Sequence, residues 1–261
     1  MVRLIKTEFI KMKRYHILWA GVALMLLTVV LTLFTTLAKD GTVWTYRFFS
    51  EQVIKNNMLM IFPMCITLIT GYIINCEIKN NTLKSLLTVP ISFRAVLTAK
   101  LVIAGVFSAV LGAVCAVFTV VGCFAAGIPG FTIGEGLLSL YQQIIVNLFL
   151  YISVLPIIIA TSRSRNGFLG GVAAAFVYGY AGLFVAGSKS FSQIYPITAS
   201  LGMAGYRSYE AYWNFPVCCA TMAAVLAVSA GMILCMKFRE VQEPGKKGLK
   251  TPVKRDGFSM K

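Results

Sequence analysis

Residues 17–38 read ILWAGVALMLLTVVLTLFTTLA, 22 positions without one charged side chain. At 1.5 Å of rise per residue such a helix is about 33 Å long, enough to cross a hydrocarbon core of roughly 30 Å. Basic residues precede the block, and Thr36 and Ala38 resemble a signal-peptide cleavage site. The block is nonetheless too long for the apolar region of a cleaved signal and reads as a retained span. Working outward, five more apolar blocks follow at 57–76, 101–126, 144–162, 167–187 and 215–236.

The rest of the composition agrees. Of the 261 residues, 58% are hydrophobic and 13% charged, against about a quarter charged in a soluble domain. There are too few polar side chains to cover an outer surface, so lipid is the expected solvent. The chain reads as all-α: a polytopic membrane protein with six transmembrane helices over 17–236. An N-terminal arm (1–16) precedes them and a basic tail (237–261) follows.

The net charge is +15, and it sits in short segments between the blocks. No aromatic-plus-basic groove is visible, so nucleic acid is not an expected partner. Arg3, Lys6, Lys11, Lys13 and Arg14 precede the first block; Lys79, Lys84, Arg94 and Lys100 lie between the second and third; Arg163 and Arg165 lie between the fourth and fifth. With eight more in the tail these make 19, against five (Lys39, Arg47, Lys55, Lys189, Arg207) in the alternate connections. The positive-inside rule then places both termini in the cytoplasm. Residues 127–143 carry no Lys or Arg and read as an external loop.

The external connections hold Trp44, Tyr46, Phe48 and Phe49, then Tyr206, Tyr209, Tyr212 and Trp213. An interfacial aromatic belt is the favoured reading, with a surface for a lipid-like or peptide substrate as the alternative. Residues 188–214 are apolar enough for a short re-entrant or interfacial helix.

No Asp, Glu, Lys or Arg falls within the six apolar blocks. A proton relay through the bilayer normally needs one. The neutral polar groups Thr67, Thr70, Asn75, Gln142 and Asn147 remain. HExxH, GxSxG with a distant histidine, and the GxxxxGK[ST] phosphate loop are all missing. The seven cysteines all lie in apolar blocks without a CxxC, and His16 is the only histidine. No catalytic residue, metal site or cofactor is expected, and energy for uphill movement would come from another chain. Small residues recur every fourth position at Gly167, Gly171, Ala175 and Gly179, and at Ala223, Ala227 and Gly231. Both series read as packing stripes within one bundle, with a specific dimer contact as the alternative.

Two cytoplasmic segments carry the functional expectation. In the arm, Val2, Ile5, Phe9 and Met12 recur at helical spacing, with Arg3, Lys6, Lys13 and Arg14 on another face. That pattern suits an interfacial helix, apolar side in lipid and basic side toward anionic headgroups. Between blocks two and three, Glu77 is followed by Thr82, Leu83, Lys84, Leu86, Leu87, Pro90 and Arg94. Leu83, Leu86 and Leu87 share a face of a short helix at about 79–90, which Pro90 ends. The result is a compact knob with an apolar patch and Lys84 beside it.

The pattern Glu77…Thr82-Leu83-Lys84…Leu87…Pro90-Ile91-Ser92…Arg94…Lys100 resembles the stretch between helices two and three in permease subunits of ABC-2 type ABC transporters. Asn81 stands where that family usually has Gly, and Phe93 separates Ser92 from Arg94. The resemblance implies that 79–90 is a coupling helix docking in a groove of a separate ATPase subunit, with ATP bound there. The arm sequence Ile5-Lys6-Thr7-Glu8-Phe9-Ile10-Lys11-Met12-Lys13-Arg14 is similar to that of bacterial bacitracin-resistance and lantibiotic-immunity permeases. Those likenesses imply an exporter subunit in the bacterial cell membrane, removing an antimicrobial peptide or lipid-linked amphipathic substrate. The implied partners are the ATPase, a second permease of the same or a related kind, and anionic membrane lipid. Two other classes stay open: a non-transporting sensor or assembly subunit that docks a cytoplasmic partner, and a secondary carrier. Reporter fusions after Lys261 should report a cytoplasmic C-terminus; an external signal would overturn the span count or the orientation.

Overall fold

The computed structural model describes residues 2–12, 15–37, 43–79, 93–162, 167–188, 190–207 and 212–235. Among the described residues every regular element is helical. The arm forms α1 (Val2–Met12) and the first span is α2 (Ile17–Thr36). The second span is continuous from α3 (Tyr46–Asn56) through a π-helical turn (Asn57–Ile61) into α4 (Phe62–Lys79). Spans three to five are α5 (Phe93–Ala125), α6 (Ile133–Thr161) and α7 (Gly167–Val185). Two short helices, α8 (Phe191–Ile194) and α9 (Pro196–Met203), precede the last span, α10 (Phe215–Cys235). Among the described residues six helices are thus long and apolar enough to cross a membrane, and the protein is an all-α, multi-pass membrane protein.

Three spans are longer than hydropathy alone suggests. The second starts at Tyr46 rather than 57, the third at Phe93 rather than 101, and the fourth at Ile133 rather than 144. Arg47, Glu51, Lys55, Arg94, Lys100 and Glu135 sit in these added turns. A charge lowers hydropathy, but it leaves helix formation intact when it pairs or reaches the bundle end. The start of α6 is marked locally. The Thr132 side chain accepts a hydrogen bond from the Glu135 N–H at 3.3 Å, with the Thr-x-x-Glu spacing of a capping box. Residues 133–143, expected in an external loop, are therefore helical.

The π-helical turn has an identifiable cause. Pro63 has no N–H, so the Leu59 carbonyl four residues earlier loses its helical donor, and the proline ring crowds that same oxygen. The ladder widens by one residue, and Phe62 N–H bonds to the Asn57 carbonyl instead. Helix α7 then crosses the exposed carbonyl at Gly179, where a Cβ would stand 2.5 Å from the Leu59 oxygen. On the other side of the bundle α5 meets α6 at Gly112, where a Cβ would stand 2.6 Å from the Gln143 oxygen. Only glycine permits backbones this close.

The first small-residue series behaves as expected: Gly171, Ala175 and Gly179 lie on the buried stripe of α7. The second does not. Ala223 and Ala227 are exposed, and no atom lies within 4 Å of a Cβ built on Gly231. α10 packs instead through Cys218, Met222 and Ser229.

The aromatic belt is corrected at three positions, and Tyr209 lies outside the described residues. Tyr46 and Phe49 are fully buried and Tyr206 is nearly so, all within the main apolar core. Trp44, Phe48 and Trp213 are half-buried, and Tyr212 is exposed. Side chains on one flank of α3 face the bundle because α3 is part of a span and not a surface loop. The segment after α7 does fold back into the protein, with Ile197, Thr198, Ala199, Ser200, Leu201 and Gly202 of α9 all buried.

Gly179→Ala should lower the thermal midpoint of the detergent-solubilised protein. Overpacking against a backbone oxygen typically costs about 1–3 kcal/mol. Gly231→Ala, with open space around it, should leave the midpoint unchanged.

Candidate functional site

Among the described residues the bundle carries two clusters of charge, one at each end, and a polar seam along α6. At the end where α1 lies, Glu8 is buried between two lysines. Lys100 Nζ approaches Glu8 Oε2 at 2.8 Å, and Lys11 Nζ approaches Oε1 at 2.7 Å. Lys100 is itself buried, two turns into α5, while Lys11 is half-exposed. Met12, one turn after Glu8, enters the main core. Glu8 and Met12 thus form the protein-facing side of α1, and Phe9 and Ile10 stay exposed. This amends the sequence reading, in which Met12 belonged to the lipid side.

Burial by itself would raise the Glu8 carboxyl. The hydrogen bonds from Lys100 and Lys11, together with their charges, outweigh it and hold Glu8 below its ordinary range. A carboxyl depressed by folding adds stability above its unfolded-state value, and that stability is lost as pH falls through the folded value. The arm contact is therefore firm near neutrality and weakened by acid.

Residues 79–90 are the segment expected to couple to an ATPase. Thr82, Leu83, Lys84, Leu86, Leu87 and Pro90 fall outside the described residues. Glu77 is in the last turn of α4, whose backbone is described, and Arg94 is exposed in the first turn of α5. The two helices that bracket the segment are therefore placed, and Lys100 ties one of them to the arm. Sequence reasoning quoted Glu8 and Lys100 in separate motifs without pairing them. The available signal was a lone acid in a basic arm and a lone lysine next to an apolar block.

Through the middle runs a seam of neutral polar groups on α6, spaced by four at Ser139, Gln143 and Asn147. Asn57 Nδ2 donates to Asn147 Oδ1 at 2.7 Å. Ser50 and Ser139 hydroxyls are 2.7 Å apart. Gln143 Nε2 donates to Thr119 Oγ1 and Ser139 Oγ, both at 3.1 Å. Thr67, Thr70 and Asn75 are also buried, on α4. Gln142 instead reaches the Gly205 carbonyl at 3.4 Å. Interhelical bonds of this kind contribute around 0.6 kcal/mol on average within a membrane. They orient α3, α5 and α6 more than they stabilise them.

At the far end Glu51 collects two cations: Arg207 Nε at 2.9 Å and Arg47 Nε at 3.7 Å. The Tyr206 hydroxyl donates to the Glu51 carbonyl at 3.1 Å. Arg207 is held at φ 47°, in the left-handed region. Strain of order 1–3 kcal/mol at such a residue persists only where its surroundings determine it. Here the carboxylate and the Phe48 and Tyr206 rings, each 5.7 Å from the guanidinium carbon, do so. Among the described residues no group of three or more His, Cys, Asp or Glu is placed to hold a metal ion.

Glu8→Gln leaves Lys100 buried without its charge partner, and such a loss typically costs about 3–5 kcal/mol. Amide exchange over residues 2–12 should rise by at least tenfold, with the span amides unaffected. The double change Glu8→Gln with Lys100→Met should cost less than the sum of the two. In the parent protein, exchange over the same residues should quicken as pH is lowered, after correction for intrinsic rates.

The sequence profile of a family described as ABC-2 family transporter protein matches residues 4–182. That is more than half of the chain, and it takes in the clasp, both helices around residues 80–92 and the seam. No curated protein matches the chain. Members of the family are the membrane components of ABC transporters, which implies an ABC ATPase as partner. The chain belongs to the ABC-2 transporter family, as a membrane-spanning permease subunit.

Proposed function

We propose that this permease works in an ATP-driven exporter that removes an antimicrobial peptide or a lipid-linked amphipathic molecule from the bacterial cell membrane. Both termini then face the cytoplasm, a second permease of the same or a related kind completes the pathway, and anionic lipid surrounds the arm. The observation that carries the reading is the buried Glu8–Lys100 pair. It links the arm to α5 just beyond the segment proposed to dock the ATPase. Displacement of that segment by the ATPase would be passed to α5 and, through the clasp, to the arm together. A buried ion pair serves such transmission because separating it leaves two uncompensated charges.

In this reading Leu83, Leu86 and Leu87 insert into the ATPase groove, with Glu77, Thr82, Lys84, Pro90 and Arg94 shaping and flanking the knob. Leu86→Asp would bury an unpaired carboxylate there, at a cost of several kcal/mol. Membrane expression should be normal, while ATPase co-purification and transport should be lost. Normal expression with undiminished ATPase binding would assign docking elsewhere. Deletion of the gene should lower the inhibitory concentration of envelope-active peptides; unchanged sensitivity to bacitracin-like and lantibiotic-like compounds would remove that substrate class and leave the permease assignment standing.

A further inference from the structure

At the end opposite the arm, a cavity of about 380 Å³ opens between the α3–π turn, the end of α7 and the α8–α9 segment. Its volume falls in the range of ligand sites, roughly 300–1,000 Å³. Its lining combines apolar Met58, Leu59, Leu183, Leu201 and Trp213 with the cations Lys55 and Arg207. These two cations are in different circumstances. Arg207 is engaged by Glu51. Lys55 is half-buried and makes no ion pair or hydrogen bond with any described residue.

Among the described residues, the acid one helical turn from Lys55 toward the start of the same helix is Glu51. That carboxylate is already held by Arg207 and Arg47. Lys55 stands nine residues into a 31-residue helical stretch, at the same end of the bundle as the cavity it lines. A lysine ammonium is a compact charge on a flexible stem, and it holds a phosphate as a point charge. With apolar side chains making up much of the remaining lining, the complement is an anionic head joined to a hydrocarbon chain.

We propose that this cavity binds an amphiphile whose phosphate head carries a net negative charge, with that head against Lys55 and its chain along Leu59 and Leu183. The inference deepens the exporter reading by giving its ligand a chemical class, but its test measures binding and not transport, so either can fail alone. Trp213 is a local reporter: its Nε1–H donates to the Tyr206 carbonyl at 2.6 Å, which fixes the ring at the cavity edge. The chain has three tryptophans, so Trp19→Phe with Trp44→Phe leaves Trp213 alone. This chain would be reconstituted in phosphatidylcholine nanodiscs with increasing fractions of brominated phosphatidylglycerol or brominated phosphatidylcholine, and quenching of Trp213 followed.

The anionic lipid should quench at least threefold more at low mole fraction, and inorganic phosphate at millimolar concentration should neither quench nor compete. Lys55→Gln should reduce quenching to the phosphatidylcholine level, and Lys55→Arg should retain most of the preference. Leu183→Phe, which keeps the cation and adds bulk to the apolar lining, should lower quenching by the anionic lipid and guards against a Lys55 variant that fails to fold. Equal quenching by the two lipids in the parent would overturn the proposal. So would a preference unchanged in both Lys55→Gln and Leu183→Phe, or one abolished by inorganic phosphate, which would mark a site for the free anion.

Discussion

A charge removed from water must be met by an opposite charge, and that constraint organises both ends of this bundle. Glu8 meets Lys100 and Lys11 at one end; Glu51 meets Arg207 and Arg47 at the other. Each carboxylate joins elements distant in sequence. Glu8 brings the arm to the base of α5. Glu51 brings the segment after α9 to α3, and its backbone carbonyl accepts from Tyr206 as well. Pairing at Glu51 also holds Arg207 in a left-handed conformation that its side chain would otherwise disfavour. The same commitment of Glu51 leaves Lys55, one turn along, facing a cavity.

Between the charged ends the helices are held by close approach. Lipid tails are as apolar as leucine, so packing and hydrogen bonds replace the hydrophobic effect as the cause of association. Gly112 lets α5 approach the α6 backbone, and Gly179 lets α7 cross the Leu59 carbonyl. That carbonyl is available because Pro63 withdraws its usual donor. The π-helical turn, the glycine contact and the hydrogen bond from Asn57 to Asn147 are therefore parts of one local arrangement. It lies beside the cavity, to which Met58 and Leu59 contribute.

Where sequence reading and structure part, the reason is usually the same. A hydropathy window stops at a charge, so Arg47, Glu51 and Lys55 were read as loop and the aromatics among them as a surface belt. In the structure those charges lie on a helix, and Tyr46 and Phe49 turn into the core. The Thr132–Glu135 capping box was a usable local signal for the start of α6 and outweighs the lack of Lys and Arg in that stretch. The two small-residue series look alike in spacing, yet only the one on α7 finds close neighbours. Spacing records what a helix face permits; whether another helix comes to it depends on the bundle.

Six spans, the alternation of basic connections and the all-α class were determined by the sequence alone. Each follows from local chemistry: apolar runs long enough for a bilayer, backbone groups that must bond within their own helix, and charges that stay at the ends. The resemblance around Glu77 to Arg94 was legible as a motif for the same reason, since it is contiguous. The Glu8–Lys100 clasp, the Glu51–Arg207 pair, the seam along α6 and the cavity at Lys55 join residues 92, 156, 90 and about 150 positions apart or nearly so. Nothing in a local window distinguishes Lys55 from Arg47. Only the tertiary structure assigns Glu51 to the arginines and leaves the lysine to the cavity, because a carboxylate has a limited number of acceptor positions and the fold decides which cations reach them.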